Sequence, residues 1–155
     1  MKVHKNYEFT EPELQLTSLV AHAKLRGTMR DLNDDTSVNG PPYELLLWFE
    51  SESGAIHEAC QVVLQAMTLK NIQTDEDVAI PESAIALFKK RSNGVYTARI
   101  SQKNLSLDHA GHELSFNYLM NEGCGPNQNA VSVSMTLQKQ YTERTISFWD
   151  TLMGV

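Results

Sequence analysis

The feature that most constrains this chain is a rhythm of two. In residues 131–137, Val131, Val133, Met135 and Leu137 are apolar, while Ser132, Ser134 and Thr136 between them are polar. Residues 114–120 repeat the pattern, with Leu114, Phe116, Tyr118 and Met120 on one side and Ser115 and Asn117 on the other. Successive side chains of a strand point to opposite faces, so strict alternation describes a strand with one buried face. The intervening stretch, 121–129, is rich in Asn and Gly and contains Pro126. Two alternating runs joined by turn formers predict an antiparallel hairpin.

Similar signals recur along the chain. Tyr43, Leu45, Leu47 and Phe49 share one face of a strand that follows Pro41-Pro42, and Trp48 points the other way. Asn93-Gly94 is a turn dipeptide ahead of Val95–Ile100, for which Ala84–Phe88 is the natural hairpin partner. Leu14–Leu25 reads as one further long strand ended by Gly27, and Thr142–Ile146 extends the strand that starts at Val131. Residues 55–70 are ambiguous. Ala59, Val62, Val63, Ala66 and Leu69 keep helical spacing, whereas Cys60, Val62, Leu64 and Ala66 alternate. A strand is the preferred reading, since its neighbours are strand-like. About seven short strands give an all-β fold, an antiparallel two-sheet β-sandwich of immunoglobulin-like shape with room for one or two short helices. The alternative is an α+β fold with a helix at 55–70.

Length and charge bound the rest. At 155 residues the chain matches one domain, expected to span 1–155. Asp31–Pro42 and Gln73–Pro81 read as polar linkers within it. A formal net charge of −6 repels phosphate backbones and anionic lipids, and Lys89-Lys90-Arg91 is short enough to be a solvated turn. Neither nucleic acid nor a membrane is therefore expected as a partner. Read from Met1 as its natural start, the sequence has no secretory leader and is expected in the cytoplasm. The two cysteines, Cys60 and Cys124, are too few for a disulfide framework, and whether they pair is left open.

Chemistry-bearing clusters are sparse. Asp108-His109-Ala110-Gly111-His112-Glu113 offers two imidazoles, but the turn expected at Ala110-Gly111 scatters the rings and no third ligand is identifiable. His109 and His112 are the weak candidates for a metal, and no metal or other cofactor is expected. Cys124 has no nearby cation or helix N-terminus to activate a thiolate. No nucleophile elbow, phosphate loop or calcium loop is present.

The expected function is accordingly a non-catalytic protein-binding module. An inhibitor, an immunity-type protein that neutralises a basic partner, or an assembly component would all suit an acidic sandwich. Asp34 and Asp35 would steer that basic partner, together with the acidic stretch Asp75–Asp77. Trp48 and the C-terminal Phe148, Trp149, Leu152 and Met153 would supply apolar contact, and the latter group also allows self-association. One alternative is carbohydrate or small-ligand binding, with Trp48, Tyr96 or Tyr118 as stacking residues. Another is a metal-dependent enzyme at His109 and His112.

Overall fold

The computed structural model describes residues 2–16, 18–31, 36–51, 56–80, 84–108, 110–124 and 130–146. Among them there is no helix, and two sheets pack face to face, antiparallel apart from one short parallel pairing of Val3, His4 and Lys5 with Thr36, Ser37 and Val38. The strands are β1 (Lys2–Gln15), β2 (Val20–Asp31), β3 (Thr36–Ser51), β4 (Gln61–Asn71), β5 (Asp77–Ala79), β6 (Ala84–Leu87), β7 (Lys89–Lys90), β8 (Tyr96–Leu105), β9 (His112–Met120) and β10 (Val131–Ile146). One sheet runs β10-β1-β2-β3-β8-β7, and the other runs from β10 through β9 to β4, which carries β5 and β6. β10 belongs to both. Its first half, Val131–Leu137, pairs with β9 and its second half, from Gln138 on, pairs with β1.

The alternation sets which face is buried. Tyr43, Leu45, Leu47 and Phe49 of β3 and Ala21, Ala23 and Leu25 of β2 meet Leu114, Phe116, Tyr118 and Met120 of β9. Val62, Leu64, Met135 and Leu137 complete that layer. Phe49 joins the sheets, its ring edge-on to Phe116 at 6.1 Å between centroids and tilted against Tyr118 at 6.3 Å. Such edge contacts suit the quadrupole of the rings. The expected hairpin forms with Val131 opposite Tyr118 and Leu137 opposite His112.

Several sequence expectations are corrected. Leu14–Leu25 is not one strand: the chain turns at 16–19, where the Leu16 amide donates to the Leu19 carbonyl, so β1 and β2 form a hairpin. Gly27 does not end β2. It sits at a register shift against β3, where an added Cβ would lie 2.8 Å from the Gly40 carbonyl oxygen. Both polar linkers contain strand: β3 starts at Thr36, and β5 lies within 73–81.

The ambiguous segment is strand from Gln61 onward, with no helix among its described residues. Ala66, at φ 53°, forms a bulge that moves the buried set from Cys60, Val62 and Leu64 to Met67 and Leu69. That change of phase imitates the uneven spacing of a helix. Cys60 and Cys124 are joined in a disulfide.

Ala84–Leu87 is not the hairpin partner of β8. It pairs with β4 in the other sheet, and only Lys89 and Lys90 pair with β8, opposite Thr97 and Tyr96. Phe88, buried between the two short strands, is the crossing point, and its amide donates to the Cys60 carbonyl at 3.1 Å.

Candidate functional site

The outer face of the larger sheet carries the residues that alternate with the core. Trp48 of β3 stands there, half-buried, with His22 of β2 on one side in register and Arg99 of β8 on the other. The His22 and Trp48 rings stack 5.0 Å apart and 9° from parallel. Nε2 of His22 lies 3.4 Å from a Glu50 carboxylate oxygen. One face of the Trp48 ring is thus covered by imidazole. Further along, Arg26 donates to Glu44 at 2.7 Å, and the Ser101 hydroxyl donates to the other Glu44 oxygen at 3.0 Å. The Arg26 hydrogen bond, then that of Ser101, holds the Glu44 carboxyl below its ordinary range. Next to it, burial pushes the Tyr43 phenol up.

One opening follows from the crossing at Phe88. β6 belongs to one sheet and β7 to the other, so the chain diverges from β8 as it is traced back from Lys89 to Ala84. A cleft of about 560 Å³ opens between them. Lys89, Lys90, Arg91 and Arg99 line it, together with Ile85 and Leu87. Ile85 and Leu87 are 62% and 55% exposed, high for large apolar side chains. Among the described residues, β8 beyond Thr97 has no strand partner on the side away from β3, and β6 has none on the side away from β4. Two strand edges without a strand partner among the described residues therefore border one cationic, partly apolar cleft. The triplet Lys89-Lys90-Arg91, expected as a solvated turn, begins as strand and joins Arg99 through the β7–β8 pairing.

The residues singled out from sequence fall in different places. Trp48 is on the outer sheet face, next to Arg99. Tyr96 is half-buried and Tyr118 lies in the core, 2% exposed, so Tyr118 offers no stacking surface. Asp34, Asp35, His109, Phe148, Trp149, Leu152 and Met153 lie outside the described residues. Asp75, Glu76 and Asp77 are exposed at the turn between β4 and β5. His112 is buried at 2%, with its Nδ1 hydrogen-bonded to the Ala110 carbonyl at 2.9 Å, the arrangement of a satisfied core histidine.

No protein-family model matches the sequence, and no curated protein matches it. Among solved structures, a copper-bound variant of Campylobacter jejuni P19 is similar at 11% identity, over 87% of this chain and 99% of that one, with a TM-score of 0.46. A likeness of that degree carries no inference about what this chain does.

Proposed function

We propose that the protein is a non-catalytic protein-binding module that receives an extended, acidic segment of another protein in the cleft between β6 and β8. The carrying observation is the coincidence of a β8 edge that has no strand partner among the described residues with four cationic side chains, Lys89, Lys90, Arg91 and Arg99. An incoming strand gains main-chain hydrogen bonds from such an edge, while its side chains give specificity. Carboxylates on one face of the segment would meet the cations, and apolar residues would cover Ile85 and Leu87. Net charge alone points to a basic partner; the local field of the cleft favours the opposite sign, and proximity outweighs the distant acidic groups. The same cations oppose pairing of this edge with the same edge of a second copy, since cation would meet cation. Disulfides persist in oxidising surroundings, so the Cys60–Cys124 bond favours a meeting place outside a reducing cytoplasm.

The test is an amide-resolved titration with synthetic decapeptides of alternating glutamate and valine, or alternating lysine and valine. The acidic peptide is expected to move the amides of residues 97–105, to bind more weakly as salt rises, and to lose binding in the Lys89→Glu/Arg99→Glu double variant. Equal binding of both peptides, or shifts confined to another face, would refute the proposal.

A further inference from the structure

Beside the crossing at Phe88, whose amide donates to the Cys60 carbonyl, three metal-ligating side chains converge. His57, Cys60 and Cys124 each bring a ligand atom to within 4.8 Å of the others. Nε2 of His57 is 4.0 Å from Cys124 Sγ, and the His57 amide donates to Cys60 Sγ at 3.4 Å. The cysteines are buried and the imidazole is exposed, so the group has a protein-filled side and a solvent side. We propose that, once the disulfide is reduced, these three residues bind a borderline-soft divalent cation of the zinc type, with a fourth position left to water.

The donor set fits that chemistry. Zinc is held by thiolate sulfur at about 2.3 Å and imidazole nitrogen at about 2.0–2.1 Å, and a Cys₂His set with one open position satisfies its tetrahedral preference. The ligands do not depend on the disulfide to stay together after reduction. Asn121, three residues before Cys124, accepts from the Gln61 amide at 2.9 Å and donates to the Ala59 carbonyl at 3.0 Å. Its side chain therefore grips the backbone on both sides of Cys60. The β4–β9 ladder adjoins it, with Val62 opposite Met120. With the Cα atoms 5.6 Å apart, the thiols stay on facing loops after the S–S bond is gone.

The steps balance. A dithiol reductant gives two electrons and two protons to the disulfide, leaving two thiols and its own disulfide. Each thiol then loses its proton as its sulfur takes up the cation. In the bonded state Nδ1 of His57 accepts from the Ala59 amide at 3.2 Å, which leaves the proton of the neutral ring on Nε2. Coordination through Nε2 moves that proton to Nδ1, and water takes over at the exposed Ala59 amide. Exchange with a small-molecule disulfide, which takes up the two electrons and leaves as two thiols, forms the protein disulfide again and releases the cation to water. Redox poise therefore selects between a bonded pair and a loaded site.

Cobalt(II) is the probe, with a water-soluble phosphine as reductant. The phosphine takes its oxygen from water as the oxide, the disulfide receives its two electrons and the two protons of that water, and no competing thiol is introduced. Reduced protein is expected to bind one cobalt per chain with thiolate charge-transfer absorption, displaced by zinc, while oxidised protein binds none. His57→Ala, at an exposed turn, is expected to weaken binding at least tenfold and change the visible ligand-field bands. The proposal fails if reduced protein takes up no stoichiometric metal, if His57→Ala binds as wild type does, or if affinity is unchanged in denaturing urea. Should reduction alone unfold the chain, recovery of the native circular-dichroism spectrum at one equivalent of zinc supports the site, and no recovery overturns it.

Discussion

Replacing both cysteines in Cys60→Ala/Cys124→Ala removes a cross-link between positions separated by 64 residues in sequence. A closed loop of that size takes entropy from the unfolded chain, and its loss costs about 4 kcal/mol at 25 °C. Domains of this kind have roughly 5–15 kcal/mol in total, so the variant stays folded but with a large share of its stability gone. The native side of the balance changes little, because Asn121 still holds the Ala59 carbonyl and the Gln61 amide. Urea unfolding followed by far-ultraviolet circular dichroism measures the difference and tests its origin. An unfolded chain freed of the cross-link exposes more surface, so the denaturant slope should rise while the midpoint falls. A loss below about 1 kcal/mol, or a lower midpoint with an unchanged slope, would refute the unfolded-state reasoning.

Phe49→Ala should destabilise by about 3–5 kcal/mol, the range for a buried aromatic truncated to a methyl, because Phe49 is fully buried and contacts Phe116 and Tyr118 across the sheets. A cost under about 1 kcal/mol in urea unfolding would contradict its place as the joint. Arg26→Gln should move the Glu44 carboxyl back up toward its ordinary range, since the Arg26 hydrogen bond is the largest cause of its lowering. A depressed carboxyl contributes stability above its unfolded pKa, and that contribution disappears as pH falls through the folded value. The variant should therefore lose part of the acid-side dependence of unfolding, and an unmoved Glu44 titration in carboxyl-resolved spectra would count against the pairing.

What the sequence reveals depends on whether a strand keeps one phase and one sheet. β9 and the first half of β10 do both, so Leu114–Met120 and Val131–Leu137 announce their buried faces and their pairing. β4 keeps one sheet but changes phase at Ala66, and a two-residue period broken once mimics a helical one. Residues 84–90 keep neither. Their pairing is decided by tertiary contacts at Phe88, which local pattern does not encode. The site residues follow the same division. Trp48 is legible as the odd member of an inward-facing run. The association of Lys89–Arg91 with Arg99 needs the β7–β8 register, and that of His57 and Cys60 with Cys124 needs the β4–β9 ladder. His57 and Cys60, three apart, are a visible hint, but the third ligand lies 64 residues beyond Cys60.

Both proposed sites have a common physical origin in the way two sheets share one chain. A strand that passes from one sheet to another must leave its old neighbour before it has fully met the new one, and backbone groups near the crossing lose ladder partners unless another strand fills in. β10 makes the passage with continuous pairing, because β9 and β1 take over in succession at Leu137 and Gln138. The passage at Phe88 has no such relay. β6 is only four residues long and β7 two, so among the described residues β8 is paired on this side at Tyr96 and Thr97 alone, and the cleft opens beside Arg99. The crossing also needs an anchor, and Phe88 finds it in the carbonyl of Cys60, whose side chain is fixed in turn to Cys124.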